Sequence, residues 1–164
     1  MTRKRSFPPV VDEQVRILIL GSLPGNVSLA HSQYYAHPQN RFWKLLSEVT
    51  GADLPALPYP DRLQTLLAKH IGLWDVVAEA QRDGSLDSNI RDHVHNDLPT
   101  LAATLPQLTT IAFNGGTATK LGLKALGQQA ARYRIVQLPS SSPAYTRPYA
   151  EKLEAWLVLQ DCLD

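Results

Sequence analysis

Between the apolar run Val15-Arg-Ile-Leu-Ile-Leu20 and the helix-like stretch from Arg41 lies a segment rich in groups that can do chemistry. It begins Gly21-Ser-Leu-Pro-Gly25 and goes on through His31, Tyr34, Tyr35, His37, Asn40 and Arg41 to Phe42 and Trp43. The segment has neither a helical nor a strand period, and polar, aromatic-rich loops of this kind are more often sites than cores. The four aromatics offer π faces, and the Asn40 amide can pair with a heterocycle's edge or hold a water. An enzyme acting on a nucleobase extrudes it into a pocket of such groups.

Other chemistries fit less well. Gly21–Gly25 lacks both the Gly-x-Gly-x-x-Gly and the Gly-Lys-Ser/Thr fingerprints of nucleotide binding. The Asn114-Gly-Gly-Thr117 turn could cradle a phosphate, but a lone Gly-Gly is a weak signal. Ser140, Ser141 and Ser142 follow a strand without the Gly-x-Ser-x-Gly elbow of a serine nucleophile. They read as turn hydroxyls that satisfy backbone groups. His31 and His37, and His93 and His95, lack metal-ligand spacing with an accompanying acid, so no metal site is expected.

Composition narrows the field further. The 164 residues fit one domain with a sizeable core. A net charge of +1 provides no global field for an anionic partner, though a local basic patch is compatible with it. The single cysteine, Cys162, excludes a disulfide framework or a cysteine-ligated cluster within one chain and reads as a reduced thiol. The basic start has no apolar run behind it, so a signal peptide is not expected, nor is a membrane span. The compartment expected is cytoplasmic, nucleoid-associated.

The elements that must position these groups follow from patterning. Residues 1–13 read as a flexible basic arm, and 14–164 as a single domain. Strands are expected at Val15–Leu20, Leu108–Phe113 and Arg132–Leu138, with Ile71–Val77 extended at its start. Helices are expected over Arg41–Thr50, over Arg62–Lys69 capped by Asp61, from Asn96 or Asp97 to Leu105, over Ala118–Leu126 and over Arg147–Leu163. Ala52–Pro60 reads as loop, Ala78–Arg82 as a helical turn and Asp83–Asn89 as polar turn. Alternating strands and helices argue for a parallel α/β sandwich, whose strand ends share one rim. The loops 21–40, 114–117 and 139–145 should converge there, where ligands bind in open α/β sheets.

Gly21-Ser-Leu-Pro-Gly25 followed by Tyr34-Tyr-Ala-His-Pro-Gln-Asn-Arg-Phe-Trp43 resembles the uracil-DNA glycosylase superfamily, in particular its hypoxanthine-DNA (deoxyinosine) glycosylase branch. Gly72-Leu-Trp-Asp-Val-Val77, Gly84-Ser-Leu-Asp-Ser-Asn-Ile90 and Leu138-Pro-Ser-Ser-Ser-Pro-Ala144 extend the likeness over roughly residues 15 to 160. The resemblance implies a three-layer α/β/α sandwich around a four-stranded parallel sheet. It implies a monofunctional enzyme that removes a deaminated base from DNA, with no cofactor and no metal; a monomer is the expectation for a chain of this size. Hypoxanthine is the first candidate base, with uracil and xanthine next. A uracil or G·T/U mismatch enzyme and a catalytically weak damage-binding module are the alternatives. Leu23 stands where mismatch-specific uracil enzymes carry a water-positioning asparagine, and a leucine cannot hold water by its side chain.

By the same resemblance the catalytic polar residue is Asn40, with capping of the 41–50 helix as its other reading. Ser22 and Leu23 contribute to catalysis through their backbone. Tyr35 is the stacking residue, and Gly21, Pro24, Gly25 and Asn114 shape the base pocket. Asn114 is equally a candidate capping residue. Ser140, Ser141 and Ser142 are expected on phosphate oxygens. Pro143, Ala144 and Tyr145 are expected in the loop that enters the duplex, with Arg147 beside them. Phe42 and Trp43 are expected in the core. Asp87, Ser88 and Asn89 form a polar cluster readable as a capping turn or a pocket edge.

Overall fold

The computed structural model describes residues 3–163. Its centre is a parallel sheet of four strands, β2 (Ile17–Gly21), β3 (Ile71–Asp75), β6 (Thr110–Asn114) and β7 (Arg134–Leu138), in the order β3-β2-β6-β7. β2 and β6 are buried along their whole length because both faces of the sheet are covered.

Side chains alternate across a strand, so the apolar run of β2 feeds two cores. Ile17 and Ile19 join the core under α2 (Phe42–Thr50), α3 (Tyr59–Ala68) and α6 (Tyr149–Trp156), with Phe42, Trp43, Leu66 and Trp156. Leu18 and Leu20 join Ile111 and Phe113 under α4 (Leu98–Ala103) and α5 (Gly116–Leu126). The result is the three-layer α/β/α sandwich. A short helix, α1 (Asn26–His31), lies within the long first loop, where no periodicity announces it.

A second, antiparallel sheet was not expected. It comprises β1 (Arg3–Arg5), β4 (Val77–Gln81) and β5 (Arg91–His95) in the order β1-β4-β5. It corrects two expectations. Ala78–Arg82 is not a helical turn: Val-Ala-Glu-Ala-Gln is locally helix-compatible, but ladders on both sides override that preference, with register shifts that blur the period of two. Residues 3–13 are not a free arm. β1 pairs with β4, Val10 bridges to Leu73, the Trp74 indole donates to Phe7 O at 3.0 Å, and Phe7 packs edge-on to Tyr34. These residues cover the outer edge of β3, which would otherwise leave unpaired backbone exposed. Met1 and Thr2 lie outside the described residues.

Helix starts also shift. α3 begins at Tyr59 with Pro60 in its first turn, so Asp61 sits inside the helix rather than capping it. α5 begins at Gly116. α6 begins at Tyr149, because Pro148 restricts Arg147 to extended backbone; its continuation over Leu157–Cys162 is 3₁₀. No helix among the described residues is long and apolar enough to cross a membrane.

Candidate active site

Gly21 pairs in register with Asp75, and Asn114 with Leu138, so four strands end level and their loops meet at one rim. The first loop is held from below by a side chain that sequence reasoning passed over. Arg82 is only 2 % exposed, and its guanidinium donates to Leu23 O at 3.3 Å, to Pro24 O, to Gly84 O at 3.2 Å and to Asp87 Oδ1 at 3.4 Å. Ser22 Oγ donates to the same Asp87 oxygen at 2.6 Å. Ser85 Oγ accepts from Asn26 N, and the Lys4 ammonium reaches Asn26 Oδ1 and Gly84 O. The Gly84–Asn89 motif is therefore a cradle that fixes the Ser22–Asn26 backbone.

Burial raises the Asp87 carboxyl's pKa, and the Ser22 hydroxyl and Arg82 partly offset that rise. Burial lowers that of Arg82, with Asp87 and Asp75 pulling it back up. Leu23 turns its side chain away from the rim, into a small apolar cluster with Val77, Ala80 and Ile90. At this position the chain can offer only backbone groups.

Tyr35 and Asn40 follow in the same loop, and the Tyr35 hydroxyl lies over Gly21. Tyr35 adopts φ +54°, an uncommon conformation for an aromatic residue. Its ring stacks on Phe42 at 3.8 Å and 12°, with Phe42 sealed in the core behind it. Tyr35 is half-buried as a whole, but its hydroxyl is fully buried. That hydroxyl makes no hydrogen bond of normal geometry, although the Asn114 amide lies beside it; burial, then Asp75, raises its pKa. Asn40 Oδ1 accepts from Phe42 N at 2.9 Å, so Asn40 does support the start of α2, one residue ahead of the N-cap Arg41. Its Nδ2 donates to nothing among the described residues.

Asn114 neither caps a helix nor presents a free amide. Its Oδ1 accepts from Ser141 N and its Nδ2 donates to Ser141 Oγ, both at 2.9 Å. Gly115, at φ +100°, starts the turn into α5, and a Cβ there would press against Ser140 at 3.2 Å. Ser141 is buried and its carbonyl accepts from Arg41 N, which joins the third loop to the first. Its hydroxyl faces inward, so any phosphate contact from this turn falls to its neighbours. Ser140 Oγ accepts from Ser142 N, and Ser142 Oγ from Ala144 N. Both are partly exposed, and hydroxyls that accept in this way still have a proton to donate.

Beyond them Pro143, Ala144, Tyr145, Thr146 and Arg147 stand exposed in an unbroken run, Tyr145 by 46 %. The Lys152 ammonium, donating to Ser142 O at 3.1 Å, lies 5.5 Å from the Tyr145 ring. Arg41, Tyr145, Arg147 and Lys152 share the wall of a surface cavity of about 360 Å³. Arg41 and Lys44 both approach the Tyr149 ring. A chain of almost no net charge thus concentrates cations beside the exposed loop.

Asp75, at the end of β3, carried no role in the sequence reading beyond its place in a motif. It is 3 % exposed, its Oδ2 has no hydrogen-bond partner, and burial followed by repulsion from Asp87 pushes its pKa up to about 7 against the pull of Arg82. The four histidines weighed as metal ligands do not assemble: His93 and His95 stack on β5 with Nε2 atoms 2.8 Å apart, and no group of three or more His, Cys, Asp or Glu among the described residues is placed to hold a metal.

A parallel α/β/α sandwich with this rim defines a class. The chain belongs to the uracil DNA glycosylase superfamily, whose family model matches residues 8–160. Two curated relatives carry the name hypoxanthine DNA glycosylase. One, from Methanosarcina barkeri, is 41% identical over 156 residues, covering 94% of this chain and 96% of the relative. The other, from Methanosarcina acetivorans, is 41% identical over 155 residues, covering 93% and 95%. The solution NMR structure of a candidate uracil DNA glycosylase from Methanosarcina acetivorans superposes with a TM-score of 0.85 at 40% identity, over 99% of both chains.

Proposed function

We propose that this protein is a monofunctional DNA glycosylase that removes a deaminated base, hypoxanthine foremost, and leaves an abasic site. The observation that carries the reading is the aromatic floor at the rim. Tyr35 is partly exposed and backed on one face by Phe42, and the Asn40 side chain that accepts from Phe42 N keeps an unused amide donor. The names of the two relatives at 41% identity support the choice of base.

In this reading the extruded base lies on Tyr35. The bond from C1′ to the base nitrogen breaks with its electron pair going to the base, and a water oxygen bonds to C1′. The water's proton passes to solvent, and the departing base takes one up. The Asn40 carbonyl keeps a second lone pair for that water, and its Nδ2 can donate to the base as negative charge grows. Gly21, Ser22, Leu23, Pro24 and Gly25 contribute backbone held in place by Arg82. Ser140, Ser142, Arg147 and the neighbouring cations take phosphates, while Pro143, Ala144 and Tyr145 enter the space the base vacates.

The test is incubation with end-labelled duplexes carrying one hypoxanthine, uracil, xanthine or mismatched thymine, followed by alkali. A strand break at hypoxanthine supports the reading. Cutting only at uracil moves the chain to another branch, and binding without cutting turns it into a damage-sensing module.

A further inference from the structure

Arg41, Arg147 and Lys152 line one cavity of about 360 Å³, and among the described residues no carboxylate lies within ion-pair distance of any of them. Lys152 is the unusual member. It is 3 % exposed, yet its ammonium makes a single hydrogen bond, to Ser142 O at 3.1 Å. That carbonyl also accepts from Tyr145 N, so it is satisfied without the lysine. An ammonium has three protons to donate, which leaves two without an acceptor among the described residues. Burial, then the like charge of Arg41, lowers the Lys152 pKa. In the same wall the Tyr149 hydroxyl is sealed without a hydrogen bond. A buried amine beside a second cation, with no counter-charge, costs the fold stability, and unsatisfied buried donors are rare. Together they call for an anion that arrives from outside.

We propose that this cavity is a socket for a single DNA phosphodiester beside the extruded nucleotide, with the buried Lys152 ammonium and the Arg41 guanidinium donating to its oxygens. The proposal rests on the glycosylase reading above and deepens it, by separating one fixed contact from surface cations that follow a backbone loosely. The place fits. Arg41 follows Asn40 and its amide donates to Ser141 O, while Pro143, Tyr145 and Arg147 close the other side of the cavity. The socket therefore lies between the polar residue of the base site and the exposed loop, where the strand carrying the base must pass.

A phosphodiester carries one negative charge and free acceptor oxygens, so it supplies both things that Lys152 lacks. It also offsets the repulsion between Lys152 and Arg41. In the free protein the lysine is then held at a cost to stability, and an apolar side chain of similar length should fill its place without loss of fold. A lysine kept only to brace the loop would behave in the opposite way.

The test is binding, by fluorescence anisotropy, of hypoxanthine duplexes in which one phosphate flanking the lesion is replaced by neutral methylphosphonate. For wild type, replacement at one position should weaken binding about ten- to a hundredfold, the effect of a hydrogen bond between charged groups. K152M should bind the natural duplex more weakly by a similar factor, with a salt slope reduced by about one. It should lose the penalty at that one position and keep those at the others, because the partner is already gone. It should melt at or above wild type. R41Q, altered at an exposed residue, repeats the cycle without touching the buried amine. A penalty that persists undiminished in K152M and R41Q, or no position that costs wild type, would overturn the socket. So would a K152M protein that melts well below wild type, since Lys152 would then be a brace. If the binding results hold and wild type cuts no deaminated base, it is the glycosylase reading that fails.

Discussion

Ser22 and Asp87, 65 residues apart, share a 2.6 Å hydrogen bond, and the same carboxylate oxygen takes a hydrogen bond from Arg82. Through this contact the loop at the end of β2 is fixed by a turn that belongs to the antiparallel sheet. The loop backbone is thus held by Ser22's own hydroxyl, by a half-buried Arg82–Asp87 pair and by the Arg82 contacts to Leu23 O and Pro24 O.

That arrangement predicts an order of stabilities. R82L removes donors from three carbonyls and strands Asp87, and should cost about 3–5 kcal/mol in urea unfolding. D87A leaves Arg82 on its carbonyls and should cost less, about 1–3 kcal/mol, and S22A about 1 kcal/mol. A D87A cost equal to that of R82L would mean that the carbonyl contacts contribute nothing.

Asn114 predicts a second effect. N114A breaks both bonds to Ser141 and should destabilise by about 1–3 kcal/mol while releasing the 140–145 turn. S141A keeps the backbone bond and should cost less. Hydrogen exchange at Ser141 N separates the two: protection should fall in N114A and persist in S141A.

Tyr145 should behave oppositely. It is 46 % exposed, with the Lys152 ammonium 5.5 Å from its ring, so Y145A should leave stability within about 0.5 kcal/mol. On the proposed reading it props open the duplex beside the flipped base. Cutting of a duplex substrate should drop at least tenfold, a loss of about 1.4 kcal/mol, while cutting of the same sequence as a single strand changes little. Equal losses on both would place Tyr145 in the chemistry instead.

Asp75 makes stability depend on pH. Its folded pKa, about 7, lies above the ordinary 3.8, so the folded state holds a proton that the unfolded state releases. Stability from this group is complete below about pH 4 and is lost as pH rises through about 7, where the buried carboxyl must ionise. Melting curves from pH 4 to 8 should show this decline in wild type and a flatter profile in D75N.

Much of this was legible in the sequence because it rests on local pattern. The apolar runs of β2 and β6 announce buried strands, and Gly-Gly after Asn114 announces a turn. Arg82, Asp75 and the role of Asp87 were not legible. Arg82 stands after Val-Ala-Glu-Ala-Gln, whose helix-like composition hides a strand held by neighbours more than 70 residues away on one side. Asp75 looks like any acid at the end of a strand until Gly21 is placed beside it. Ser141 and Ser142 are equivalent in sequence; only the Asn114 amide turns one inward.

The most direct measurement compares base release from a hypoxanthine duplex by wild type, N40A and N40S. Asn40 Oδ1 also supports Phe42 N, so N40A carries a folding cost of about 1 kcal/mol that N40S, with a hydroxyl acceptor, should largely avoid. The account predicts alkali-sensitive cutting at hypoxanthine by wild type. It predicts a loss of about a hundredfold or more in both variants, with N40S melting near wild type. Cutting by N40S at the wild-type rate, or no cutting by wild type at any deaminated base, would contradict it.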